Sequence, residues 1–181
     1  RDRFGAKLDA SCMFRTGAGS SGSTLAAQQP ENNIVRVALQ ALAGILGGVQ
    51  SIHTAAFDEA LALPSEHSAL LALRTQQVLA HESGAGDVID PLGGSYYVES
   101  LTDQIEAEVK AQIARIEDEG GMLKAIEDGR AQAEIAKAAY AYQQQIDDGA
   151  RTFVGVNKFQ DAEDPRIELH RPRPEIVAAQ I

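Results

Sequence analysis

The chain has 181 residues and a mass of 19.3 kDa, with 44% hydrophobic and 23% charged side chains. That is enough for one globular core and too little for two ordinary domains of about 100–200 residues each. A formal charge of −10 and a pI near 4.8 argue against an affinity built on neutralising phosphates, and no run approaches the ~20 consecutive apolar residues of a membrane span, so neither nucleic acid nor a membrane is expected as a partner.

A single cysteine, Cys12, leaves no disulfide framework or cysteine-rich metal site to build and fits a reducing, cytoplasmic compartment. No signal peptide is expected from the opening Arg1-Asp2-Arg3, and the absent initiator Met leaves an upstream segment open. Cys12-Met13-Phe14 is predicted as a short buried strand of the kind found in parallel sheets, and Gly17 to Thr24, nearly all small residues, as a loop that a ligand or another chain can approach closely. Pro30 and Glu31 suit a first helical turn. The helix runs from about Glu31 to Leu46 and stops at Gly47-Gly48. Its apolar residues Ile34, Val35, Val37, Leu39, Leu42, Ile45 and Leu46 cover more than one stripe, which predicts burial on two sides.

Val49 to Thr54 reads as a second short strand, followed by a polar loop and a short helical turn across Ala55 to Pro64. Ser65 is an N-cap for a helix to about Ser83, closed by Gly84. Asp90 to Val98 is predicted as an irregular loop with a short extended piece. Leu101, Ile105, Val109, Ile113 and Ile116 mark an amphipathic helix ending at Gly120-Gly121. Two more helices follow, Met122 to Asp128 and Ala131 to Asp147, then an extended segment at Phe153 to Val156. The tail from Asp161 is read as an extended arm with a helical turn at Glu175 to Gln180. Two strand-loop-helix units followed by helices predict a helix-rich α/β fold, either a doubly wound sheet or a (β/α)8 barrel, neither of which two strands can close alone.

Gly17-x-Gly19-x-x-Gly22 matches the dinucleotide fingerprint, but its context does not: no helix opens at the glycines, Pro30 interrupts, and no acid lies between Gln40 and Asp58 for a ribose. A loop for close approach is the better reading. His53, at a strand end five residues before Asp58, suits a general base or a hydrogen-bonded core histidine. Asp58-Glu59 is a weak acid/base pair because adjacent residues of a turn do not face each other. His67 and His81 are too far apart along one helix to share a metal, and His170 lies in the tail, so no metal site and no catalytic residue is assigned. Tyr96 and Tyr97 are expected to pack over the core.

Arg3-Phe4-Gly5-Ala6-Lys7, Ala27-Gln28-Gln29-Pro30-Glu31-Asn32-Asn33-Ile34-Val35-Arg36, Gln50-Ser51-Ile52-His53-Thr54 and Phe57-Asp58-Glu59-Ala60-Leu61-Ala62-Leu63-Pro64 resemble the large subunit of the methylmalonyl-CoA mutase family. So do Asp90-Pro91-Leu92-Gly93-Gly94-Ser95-Tyr96-Tyr97-Val98-Glu99, Gly120-Gly121-Met122 and Val154-Gly155-Val156-Asn157-Lys158. The resemblance spans almost the whole chain. It implies part of an adenosylcobalamin-dependent mutase that rearranges the carbon skeleton of an acyl-CoA by cobalt–carbon homolysis, hydrogen abstraction, 1,2-migration and hydrogen return. It also implies that residues 1–100 are the last strand-helix units of a TIM barrel, 101–150 a helical annex and 151–181 an extended C-terminal arm. Gly22, Glu59 and Ala62 fall on positions that contact cobalamin in that family.

The departures from the family pattern are specific. Its His-x-Gln-Thr-x-Gly segment is replaced so that Gly17 and Gly19 stand where the histidine and glutamine would, and its His-Thr-Asn is here His53-Thr54-Ala55. Three polar groups expected to face the cofactor are thus lost, each leaving a partner unpaired at ~1–3 kcal/mol. The upstream strands that carry the family's catalytic histidine, and the downstream Asp-x-His-x-x-Gly cobalamin motif, are not found in this sequence. The expected partners are an acyl-CoA substrate, the remaining barrel half and a cobalamin-binding domain or subunit, in a dimer or hetero-oligomer. The alternatives are a non-catalytic structural or interaction subunit derived from the mutase fold and, on the glycine pattern, a nucleotide-binding module.

Overall fold

The computed structural model describes residues 4–162 and 167–180. They form two compact units, one of residues 4–91 with 167–180 and one of residues 92–162.

In the first unit two short strands, β1 (Gly17–Gly19) and β2 (Ser51–His53), pair in parallel with Gly17 opposite Ser51, Ala18 opposite Ile52 and Gly19 opposite His53. They are joined by helix α1 (Asn32–Leu46). The first strand is not at Cys12-Met13-Phe14. Cys12 ends a 3-10 turn over Asp9–Cys12, and Met13 and Phe14 are exposed. The ladder forms in the glycine run because strand pairing needs backbone alone. Gln50 N donates to Thr16 O at 3.0 Å and Ser20 N to His53 O at 2.9 Å, extending the pairing at both ends. Hydrophobicity pointed to the bulkier triplet, which has no partner strand among the described residues.

Side chains alternate along a strand. A Cβ built on Gly44 of α1 would lie 3.1 Å from Ile52 Cδ1 and 3.6 Å from Ala18 Cβ, so Ala18 and Ile52 face the helix. Gly17, Gly19, Ser51 and His53 therefore face the other way, and all four are exposed. Helix α1 buries Asn33, Val37 and Ala41, spaced by four on one face. The second buried side expected from its apolar residues is not covered: Val35 and Leu39 are 61% and 63% exposed. Leu25, Val37 and Ala55 form a buried apolar cluster. Ser65 caps α2 (Glu66–Glu82), its hydroxyl accepting from Ser68 N at 3.1 Å. Residue 170 of the tail makes an antiparallel bridge with Leu63, and the tail ends in α6 (Pro174–Gln180). Part of the arm expected from Asp161, residues 163–166, lies outside the described residues.

The second unit contains α3 (Tyr96–Asp118), α4 (Gly121–Glu127) and α5 (Arg130–Asp147). Helix α3 starts earlier than its apolar periodicity indicates, because Ser95 caps it; Tyr96-Tyr97-Val98 is its first turn and not an extended piece. Residue 100 thus lies inside a helix, and the compact units divide at Pro91–Leu92. Gly120 and Gly129 separate the helices at φ +104° and +74°, and Gly121 opens α4 at +88°, conformations that L side chains rarely adopt. Phe153 to Val156 is a turn and not an extended segment. Its fold is set by Asn157, whose Oδ1 accepts from Phe153 N while Nδ2 donates to the carbonyls of Ile146 and Arg151, each at 2.7 Å. Among the described residues no helix is long and apolar enough to cross a membrane.

Candidate functional site

The C-terminal ends of parallel strands, where side chains and loop backbone converge, are the places at which α/β folds collect their sites. Here the loop after β1 carries a 3-10 turn, Gly22–Thr24. Gln40 of α1 pins it: Ser21 N donates to Gln40 Oε1 at 2.8 Å and Gln40 Nε2 donates to Thr24 Oγ1 at 2.7 Å. The loop after β2 folds around Asp58, whose carbonyl accepts from Leu61 N at 2.8 Å and Ala62 N at 3.0 Å. The Asp58 side chain is 1% exposed; Oδ2 accepts from Ser65 N at 3.1 Å and Oδ1 is buried without a hydrogen-bond partner.

Two polar side chains tie these loops together. Ser20 Oγ accepts from Ala55 N at 2.6 Å. Asn33, fully buried, uses its whole amide: Oδ1 accepts from Ala26 N at 3.1 Å, and Nδ2 donates to Ala26 O and Phe57 O, both at 2.8 Å. Arg36 Nη1 also donates to Oδ1, at 2.6 Å, and burial pushes this guanidinium below its ordinary value. The outcome is that Gly22 and Glu59, 37 positions apart, become neighbours. A Cβ on Gly22 would stand 2.5 Å from Glu59 Oε1.

Of the residues expected to contact a cofactor, Gly22 and Glu59 are therefore brought together and exposed, and Ala62 lies half-buried on the same Asp58-centred turn as Glu59. Gly17 and Gly19 lie on the open face of the sheet beside Ser51 and His53. Ala55 does not. It is 3% exposed in the apolar cluster with Leu25 and Val37, so the loss of a cofactor-facing group expected at this position is not supported by the geometry. The glycine fingerprint is also resolved, since Gly17 to Gly19 is itself the strand and α1 opens only at Asn32.

Asp58 and Glu59 are not an acid/base pair, one being buried and the other exposed. His67 stands edge-on to Phe57, with ring centroids 6.3 Å apart, and with His170 borders a separate cleft of about 760 Å³. His81 is exposed in the last turn of α2. The tyrosines expected over the core are exposed, Tyr96 at 94%. Among the described residues no group of three or more His, Cys, Asp or Glu could hold a metal ion. Asn33 was not distinguished by sequence reasoning, although it carries a signal: it is the polar member of a buried stripe completed by Val37 and Ala41 at i+4 and i+8.

Comparison with known proteins bears directly on this arrangement. The chain is 45% identical over 171 residues to the 2-hydroxyisobutanoyl-CoA mutase large subunit of Aquincola tertiaricarbonis, covering 94% of this chain and 30% of that protein. It is 49% identical over 162 residues to the methylmalonyl-CoA mutase of Escherichia coli K12, covering 89% of this chain and 23% of the relative. A probable mitochondrial methylmalonyl-CoA mutase of Caenorhabditis elegans is 44% identical over 169 residues, 93% of this chain and 23% of its own length. The chain thus spans 23–30% of the length of these relatives. Residues 1–181 all match the methylmalonyl-CoA mutase family profile, and the chain belongs to that family.

Proposed function

We propose that this chain is the part of an adenosylcobalamin-dependent acyl-CoA mutase that completes a TIM barrel and presents Gly22, Glu59 and Ala62 to the cofactor. The observation that carries this reading is the contact of Gly22 with the Glu59 carboxylate at the C-terminal ends of parallel strands. The residues fit such a cofactor: a bare glycine permits close approach to the backbone, and the exposed carboxylate accepts from amide N–H groups of the kind that fringe a corrin. When bound, adenosylcobalamin supplies the radical that removes and returns a substrate hydrogen. What these residues supply is placement. Gly22 leaves room, Glu59 accepts hydrogen bonds, and the turn bearing Ala62 fixes the depth of approach. The open sheet face of Gly17, Gly19, Ser51 and His53 is the surface on which an acyl-CoA passing through a barrel would lie.

The exposed apolar residues Val35 and Leu39 of α1 and the open edges of the two-stranded sheet support a role within a larger assembly, with the rest of the barrel and a cobalamin-binding domain or subunit as partners. The reading includes a cytoplasmic location, which suits the exposed thiol of Cys12. Absorbance titration of the assembled enzyme with adenosylcobalamin tests it. Binding is expected, and Glu59→Ala is expected to weaken it at least fivefold. An assembly that takes up no cobalamin would overturn the reading and leave the second one, a non-catalytic interaction subunit, which is favoured by the missing polar side chains at Gly17 and Gly19.

A further inference from the structure

We propose that Asn33 is a positioning residue for the cofactor site, acting through the backbone of both loops; this rests on the reading of Gly22 and Glu59 as cofactor contacts. The side-chain hydrogen bonds of Asn33 run to Ala26, Phe57 and Arg36 and to neither of these residues. It holds Ala26, four residues beyond Gly22, through both backbone groups, and the carbonyl of Phe57, two residues before Glu59, through its remaining N–H. No other buried side chain in the described residues is shown bonding to the backbone of both loops. Its amide is saturated and fully buried, so neither water nor a rotamer change offers it another arrangement. Both strands end before these bonds begin, and each loop leaves the sheet with backbone groups that no ladder pairs. The spacing between Gly22 and the Glu59 carboxylate is therefore held by a side chain on the helix that separates them in sequence, acting beside the Ser20–Ala55 hydrogen bond that joins the two loops nearer the sheet.

The second unit offers a matched control. Asn157 makes the same kind of clamp, one backbone N–H accepted and two carbonyls bonded, but within residues 146–157. In the assembled enzyme, Asn33→Asp keeps shape and acceptors while setting an oxygen against two carbonyls, and Asn157→Asp does the same at the control site. Positioning predicts that Asn33→Asp weakens adenosylcobalamin binding by the folded protein at least tenfold, whereas Asn157→Asp, at similar loss of thermal stability, changes it less than twofold. Equal effects of the two variants would overturn the proposal. So that the test does not depend on the variants folding, hydrogen exchange is followed in the wild-type enzyme. Adenosylcobalamin is expected to slow exchange at Ala26 N–H at least fivefold more than at Phe153 N–H, and equal slowing would also overturn the proposal. A wild-type enzyme that binds no adenosylcobalamin would instead remove the underlying reading, and the proposal with it, an outcome distinct from binding that Asn33 does not influence.

Discussion

Gly22 and Glu59 stand so close that one added methyl group must displace the carboxylate: an alanine Cβ at position 22 would lie 2.5 Å from Glu59 Oε1. Glu59 is exposed, so its carboxylate can swing aside at little cost to stability, within about 0.5 kcal/mol for a surface change. A swung carboxylate no longer sits where the two loops place it. Gly22→Ala is expected to leave the melting temperature of the assembled enzyme nearly unchanged while weakening adenosylcobalamin binding about tenfold, or ~1.4 kcal/mol. Titration of wild type and variant measures this, and unchanged affinity would show that the pair does not form the contact surface.

Glycines elsewhere respond for a different reason. Gly129 opens α5 at φ +74° with no atom within 4 Å of an added Cβ, so Gly129→Ala costs only the left-handed backbone, about 1–2 kcal/mol. Gly86 has equal space and no such φ, and Gly86→Ala is expected to be neutral or to stabilise by up to about 1 kcal/mol. Urea unfolding midpoints of the two variants should therefore move in opposite directions from wild type, or only the first should move.

In the helical unit, Arg115 donates two hydrogen bonds to Glu134, at 2.7 and 2.9 Å, which hold the carboxyl below the usual glutamate range and raise the guanidinium. A carboxyl depressed in the folded state stabilises it above the unfolded-state pKa, and the contribution disappears as pH falls through the folded value. Both groups are exposed, so the effect is small and screened by salt. Melting curves of wild type and Glu134→Gln are expected to differ most near neutral pH and low salt and to converge on acidification below the glutamate range. A difference that grew on acidification would contradict the pairing.

The elements most legible in the sequence were those with strong local chemistry. Ser65 and Gly84 bracket α2, and the four-residue spacing from Leu101 to Ile113 marks α3, because capping and amphipathic repeats act over one or two turns. The strand Gly17–Gly19 was not legible. A three-residue Gly-Ala-Gly strand is selected by its partner Ser51–His53, a relation across more than thirty residues that no local preference encodes. That Gly22 and Glu59 become neighbours was not legible either, since the bonds of Asn33 and Asp58 that shape their loops run to backbone groups whose identity leaves no trace in sequence.

The same distinction separates the three positions, 17, 19 and 55, at which the family resemblance implies that a polar residue has been replaced. Gly17 and Gly19 lie on the open sheet face, where a Cβ on Gly19 would be 3.9 Å from His53 Cβ and one on Gly17 would displace the rotatable Ser51 hydroxyl, 2.5 Å away, while meeting Ser51 O and Cβ at ordinary contact distances of 3.6 and 3.9 Å. Side chains there are accommodated, so Gly17→His with Gly19→Gln is expected to preserve folding and to strengthen adenosylcobalamin binding about tenfold. Ala55 is enclosed by Leu25 and Val37. Ala55→Asn adds volume and a polar amide to a buried apolar cluster, costing about 2–4 kcal/mol from overpacking and desolvation together. It should lower the melting temperature without adding to the affinity gained at positions 17 and 19. Parallel calorimetry and cobalamin titration of the double and triple variants resolve the two effects, and a triple variant that bound tighter than the double with unchanged stability would mean that position 55 faces the cofactor after all.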